Sequence, residues 1–237
     1  MEKSNIDIEK IISVEQILGL NSPFNLKFVC CQNLTGPGIY FISFNSQVIY
    51  VGKYQPLNGD IFVDRWLRHI ETITLRGYRV GFGESNNPEE KLRRLGEVIG
   101  NNSLRESLQH TYDHDLRRFR DTGVVTSKNR VRFADENWNE FNNYNNIKIL
   151  SKFDFILLRF DGLNQLEASS LVSDIEKYIL AKFKPVCNRE YVHSRDNINR
   201  VNNLTSKIIS EINTFCQNHS YAPISEFIRV RSSQFEN

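Results

Sequence analysis

Short blocks of β-branched and aromatic residues dominate one stretch of the chain. Phe41-Ile42-Ser43-Phe44 and Val48-Ile49-Tyr50-Val51 stand either side of the polar Asn45-Ser46-Gln47. Two such blocks joined by a short polar turn predict a β-hairpin over roughly residues 38–52. Upstream, Phe28 to Cys31 is strand-like, and a short helix around Val14 to Leu18 ends at Gly19 and an Asn21-Ser22-Pro23 turn. Downstream, Gln55 to Asp60 reads as loop, with Asp60 placed to cap a helix from about Ile61. Phe62, Trp66 and Ile70 recur there at helical spacing and are expected in the core, while Arg65 and His69 share the neighbouring face one turn apart.

From Glu71 to Asn146 the pattern changes. A glycine-broken start (Gly77, Gly81, Gly83) leads to helical stretches around Glu89 to Ile99 and Leu104 to Arg120. Val124 to Phe133 alternates and predicts a strand, and the Asn-rich run Asn137 to Asn146, with Trp138 and Tyr144, predicts an irregular loop. Ile147 to Phe160 predicts a strand, most clearly from Phe153. An amphipathic helix follows over Leu166 to Leu180 and ends before Pro185, which cannot continue a helix. A last helix, Leu204 to Cys216, leads to a tail containing Arg229 and Arg231. These elements predict one α/β domain over 1–237: a small, mainly antiparallel sheet flanked by helices, with a core over 26–70 and 147–190, a large helical insertion over 71–146 and a C-terminal helical extension over 191–237.

Composition adds bounds. At 237 residues, 40% hydrophobic and 24% charged, the chain can bury a real core. A formal charge of +2 does not by itself announce nucleic acid. Its distribution is more telling, with Arg117, Arg118, Arg120, Lys128, Arg130 and Arg132 set against Asp121 alone. Lys182 to Lys207 is also net basic. Cys30, Cys31, Cys187 and Cys216 have neither CxxC nor zinc spacing and read as reduced thiols, which predicts an intracellular protein. No stretch is long enough to span a membrane, and the N-terminus has no secretory pattern, so no membrane partner and a cytoplasmic location are expected.

The chemistry-bearing residues cluster on the hairpin and just beyond it. Gly38-Ile39-Tyr40 precedes Tyr50-Val51-Gly52, with Lys53 next and Arg65 and His69 downstream. Much later, Glu176 lies on the amphipathic helix, with Lys184-Pro185 at its exit and Asn188 twelve residues beyond the glutamate. This ordered set resembles the GIY-YIG nuclease family, Val51 standing where the second family tripeptide has isoleucine. The Arg65/His69 pair resembles one group of restriction endonucleases within it.

The resemblance implies a GIY-YIG-type core and a metal-dependent, site-specific endonuclease acting on double-stranded DNA, most simply a type II restriction enzyme. A repair, phage or homing nuclease, or a non-catalytic nucleic-acid-binding module on the same fold, is the alternative. It implies catalytic roles for Tyr40, Tyr50, Lys53, Arg65, His69, Glu176 and Asn188. Glu176 would hold Mg²⁺ or Mn²⁺, Arg65 would clamp the phosphate, and Tyr40 would take a proton from water. A phenol needs a partner for that, either His69 as proton acceptor or Lys53 as a stabilising charge. Tyr50 would orient water or phosphate, and Asn188 would hold the site together. Lys128, Arg130 and Arg132, alternating on the expected strand, would present a positive face to DNA together with Arg117, Arg118 and Arg120. A homodimer would match a palindromic site.

Overall fold

In the computed structural model the described residues are 9–13, 34, 36–56, 61, 65–75, 81–82, 87–114, 125–126, 128–143, 146–160, 162–188 and 204–231. In chain order they form β1 (Glu9–Ser13), β2 (Gly38–Phe44), β3 (Gln47–Tyr54), α1 (Leu67–Thr74), β4 (Gly81–Phe82), α2 (Pro88–Gly96), α3 (Asn102–His114), β5 (Val125–Thr126), α4 (Lys128–Glu136), α5 (Trp138–Asn143), α6 (Asn146–Leu150), β6 (Phe153–Arg159), α7 (Gln165–Phe183), α8 (Leu204–Asn218) and β7 (Glu226–Arg231). The main sheet has five strands in the order β1-β7-β6-β2-β3. All its neighbours are antiparallel except β1 and β7, which run parallel. β4 and β5 form a separate short parallel pair.

The expected hairpin is β2–β3. Asn45 and Ser46 at its tip both have positive φ, 47° and 63°, the backbone that lets a two-residue loop follow the twist of the strands. β2 is buried along its whole length, because each face of the sheet is covered. On one face Tyr40, Ile42, Phe44, Phe155 and Leu157 pack with Trp66 and Ile73 of the α1 region, Val131 and Ala134 of α4, and Trp138 and Phe141 of α5. On the other, Ile39, Phe41, Val51, Ile156 and Leu158 pack with Val172, Ile175 and Ile179 of α7 and Ile208 and Ile212 of α8. The alternation along each strand thus sorts side chains between two helical layers.

α7 is the best-defined helix by local chemistry. The Asn164 side chain accepts from the N–H groups of Leu166 and Glu167, and Glu167 reaches back to the Asn164 N–H, a reciprocal capping box. Lys184 closes the other end in a left-handed conformation, its N–H donating to the Leu180 carbonyl.

Several expectations are corrected. Lys128–Glu136 is a helix and not a strand, and among the described residues just before it Val125–Thr126 is extended. Its apolar residues combine with the next segment as Val131, Ala134, Trp138 and Phe141, all buried at helical spacing. That same burial turns the Asn-rich run expected as a loop into α5. Asn146–Leu150 is helical, so the strand begins only at Phe153. The basic tail is no appendage: β7 lies inside the sheet between β1 and β6, with Phe227, Ile228 and Val230 buried. β1 was not anticipated. The expected helix at Val14 to Leu18, the strand at Phe28 to Cys31, the Asp60 cap, the core role of Phe62, and Arg117, Arg118 and Arg120 lie outside the described residues.

Gly38 shows how tightly β2 is seated. A Cβ there would lie 2.4 Å from the Leu158 carbonyl oxygen and 2.8 Å from Leu157 Cδ1. Gly38→Ala should therefore destabilise the protein by about 1–3 kcal/mol, the usual cost of overpacking. Gly96→Ala, where a Cβ meets nothing within 4 Å, should be neutral or stabilising by up to about 1 kcal/mol. Urea unfolding of both variants checks this; equal midpoints would contradict the register of β2 on β6.

Candidate active site

The hairpin register brings the two tyrosines together. Tyr40 pairs with Gly52 and Ile42 with Tyr50, with a bulge after Ile42, so the phenols lie diagonally on one face with ring centroids 5.9 Å apart. Gly52 makes that arrangement possible. A Cβ on it would meet Tyr40 Cζ and Oη at 2.6 Å and Tyr50 Cε1 at 2.9 Å. The Tyr40 ring occupies the space that any other side chain would take.

α1 supplies the next groups. Arg65 and Trp66 form a π-helical turn leading into it. Trp66 is fully buried and stacks on Phe155 with centroids 4.9 Å apart, which fixes the helix against the sheet. One turn on, His69 Nε2 lies 2.7 Å from Tyr40 Oη, and its ring packs 4.4 Å from that of Tyr50. Arg65 is exposed at the head of the helix, and its charge bears on both phenols and on His69.

Arg130 enters from α4. Nη2 is 3.1 Å from His69 Nδ1, Nη1 donates to Thr72 Oγ1 at 2.5 Å, and Nε donates to the Cys187 carbonyl at 3.1 Å. The guanidinium carbon also lies 4.9 Å from the centre of the Tyr50 ring, a cation–π distance.

The exit of α7 closes the arrangement against the edge of β3. The Cys187 N–H donates to the Ile49 carbonyl at 2.8 Å. Asn188, buried, presents its amide to one residue in both senses: Oδ1 accepts from the Val51 N–H at 2.9 Å and Nδ2 donates to the Val51 carbonyl at 2.6 Å. The side chain stands in for the neighbouring strand that an edge strand lacks. The buried Asn129 then donates to the Asn188 carbonyl at 2.9 Å.

Glu176 projects from α7. Its Oε2 lies 3.4 Å from Lys53 Nζ, with side chains 20% and 33% exposed respectively. Lys53 also donates to Ser173 Oγ of α7 at 3.1 Å. Strand alternation puts Lys53 on the α7 face of the sheet, away from Tyr40 and His69, so it partners Glu176 and not the phenol. Glu176 is still near enough for its charge to oppose ionisation of Tyr50. No group of three or more His, Cys, Asp or Glu suited to a metal occurs among the described residues. One carboxylate fits Mg²⁺, which keeps several waters and takes phosphate oxygen, and does not fit a zinc site of protein ligands.

Burial governs the ionisation of the cluster. It pushes Tyr40 well above the ordinary phenol value, with the neighbouring Tyr50 adding to the rise and Arg65 and Arg130 opposing it. Tyr50 is raised as well, chiefly by burial, against the pull of Arg130. His69 is held well below the ordinary imidazole value by burial and then by the positive charges of Arg130 and Arg65. At neutral pH the cluster therefore consists of two protonated phenols and a neutral imidazole. Burial pushes the Cys187 thiol up to about 12, which leaves it unreactive.

Of the residues singled out in the sequence, Tyr40, Tyr50, Arg65 and His69 come together, Glu176 and Lys53 form a pair at the strand edge, and Asn188 ties that edge down. The strand face expected of Lys128, Arg130 and Arg132 is replaced by a helix. Arg130 points into the site, Arg132 is exposed on α4, and Lys128 begins that helix. Arg130, Thr72 and Asn129 have site contacts that were not foreseen. The signal for them was the 131/134/138/141 apolar spacing, which makes the segment a helix and so aims Arg130 inward. Comparison of the chain with known protein families, with curated proteins and with solved structures gives no match.

The depressed His69 predicts a pH dependence of stability. Above about 6.5 both folded and unfolded imidazoles are neutral. As pH falls below that value the unfolded chain binds the proton first, so stability is lost until the folded group also titrates. His69→Gln should lose less stability than wild type between pH 7.5 and 5.5 in urea unfolding. Parallel losses in the two proteins would contradict a buried neutral His69.

Proposed function

We propose that the chain is a metal-dependent endonuclease of the GIY-YIG type that hydrolyses phosphodiester bonds in double-stranded DNA, in the specific form of a type II restriction enzyme working in the cytoplasm. The observation that carries this reading is the 2.7 Å contact between Tyr40 Oη and His69 Nε2 within a cluster that also feels the charges of Arg65 and Glu176. A structural tyrosine pair needs no exposed arginine and no carboxylate beside it.

Phosphodiester hydrolysis needs a positioned water, charge stabilisation on the phosphate and assistance to the leaving oxygen. Arg65 is exposed and placed to take phosphate oxygens through its N–H donors. Tyr40 and Tyr50 would orient the attacking water through their hydroxyls. Lys53 fixes the Glu176 carboxylate at the strand edge, and Asn188 holds that edge in register. Mg²⁺ or Mn²⁺ held by Glu176 would supply Lewis-acid stabilisation of the developing charge. Exposed Arg132 on α4 is a candidate phosphate contact, and a homodimer would suit a palindromic site. One observation favours a different reading, a module that binds nucleic acid without cutting: Glu176 is ion-paired with Lys53, as a purely structural carboxylate would be.

Supercoiled plasmid incubated with the protein and Mg²⁺ separates the two. Discrete linear fragments are expected; retardation without cleavage would establish the binding module, and random nicking would remove the restriction role. Glu176→Gln should abolish cleavage, with a loss of at least about 10²-fold, while leaving DNA binding within a few-fold. Near-normal Mg²⁺-dependent cutting by that variant would remove Glu176 from the site.

A further inference from the structure

We propose that Arg130 fixes the single proton of His69 on Nε2, so that the imidazole donates a hydrogen bond to Tyr40 and takes no proton from it. A guanidinium has only donors. Arg130 Nη2 lies 3.1 Å from Nδ1, so that nitrogen must present its lone pair. The imidazole is neutral, as burial and the charges of Arg130 and Arg65 require. Its one proton is then on Nε2, which is the nitrogen 2.7 Å from Tyr40 Oη. Both ring nitrogens have polar partners, so rotating the ring by half a turn would leave carbon atoms facing Arg130 and Tyr40. An imidazolium would set an N–H against the N–H of a second cation.

The consequence reverses the proton relay expected from the sequence. The Tyr40 hydroxyl, receiving a hydrogen bond from His69, must direct its own proton elsewhere. The ring of Tyr50 lies beside it on the same face, with centroids 5.9 Å apart. Donors then run from Arg130 to His69 to Tyr40. When Tyr40 ionises, its proton goes to solvent water and not to His69. The phenolate is held by the Nε2–H of His69 and by the charges of Arg130 and Arg65, and it can then accept the proton of an attacking water. Arg130 is a positioning residue in this scheme, and His69 a donor in place of a base. The catalytic half rests on the nuclease reading; the tautomer does not.

The test is long-range ¹H–¹⁵N NMR of the full chain labelled at histidine, with the His69 signals identified by their absence in His69→Gln. Wild type should show a protonated Nε2 and a bare Nδ1, Arg130→Met should lose that preference, and Arg130→Lys, which keeps a donor, should restore it. A protonated Nδ1 in wild type, or an unchanged tautomer in Arg130→Met, would overturn the proposal; should Arg130→Met not fold, the wild-type spectrum decides. Single-turnover cleavage gives the second readout. His69→Gln retains an N–H donor but no base, so it should stay within about 10-fold of wild type while His69→Ala falls by roughly 10²-fold or more, the cost of removing one donor from such a site. Equal losses in the two would overturn the donor role. If wild type itself cuts no DNA, the nuclease reading fails and the spectra still decide the tautomer.

Discussion

One guanidinium holds three parts of the chain in register. Arg130 bonds α1 through Thr72 and His69, bonds the α7 exit through the Cys187 carbonyl, and covers the ring of Tyr50. Each of those acceptors is partly or wholly withdrawn from water. Deleting the guanidinium would strand them at about 1–3 kcal/mol for each buried group left unsatisfied. The 71–146 segment therefore takes part in building the site: without α4 the histidine loses the partner of its Nδ1 and the exit loop loses the Arg130 and Asn129 bonds to its carbonyls. Asn129, the preceding residue, strengthens the same junction by bonding the Asn188 carbonyl.

The second constraint is steric. Tyr40 is 2% exposed and can lie over β3 only because Gly52 has no side chain. Gly38 plays the corresponding part on the β6 side, where the Leu158 carbonyl leaves no room for a Cβ. The two glycines of the hairpin thus have separate jobs: one seats the strand and the other seats the phenol. The bulge after Ile42 shifts the register by one residue, which puts Tyr50 on the face of Tyr40, so the rings pack side by side.

Much of this was legible from local chemistry. The hairpin followed from two β-branched blocks and a polar turn, and the long helix from its period and its exit at Pro185. The place of Lys53 was also within reach, since a period of two puts it opposite Gly52 and Tyr50 on the strand. α4 was misread because Val124 to Phe133 alternates over a short window, while the helical spacing appears only when Val131 is taken together with Trp138 and Phe141. β1 and β7 were missed for a different reason. Glu9–Ser13 and Glu226–Arg231 are short and rich in charge, and what makes them strands is pairing with distant chain, which no local window contains.

That pairing bears on the order in which the protein can be completed. β7 lies between β1 and β6, so a strand near residue 10 waits for one near residue 228 before it has a neighbour. On a ribosome β1 emerges long before its partner, and its backbone donors and acceptors stay unpaired while the rest of the sheet assembles. Closing such a distant contact is slow. The Tyr40 hairpin and β6 can form a three-stranded unit first, leaving the first and last strands to dock together as a final step. A nascent chain stalled before residue 226 would carry the paired phenols but an uncovered β6 edge, which makes that edge the point most in need of protection during synthesis.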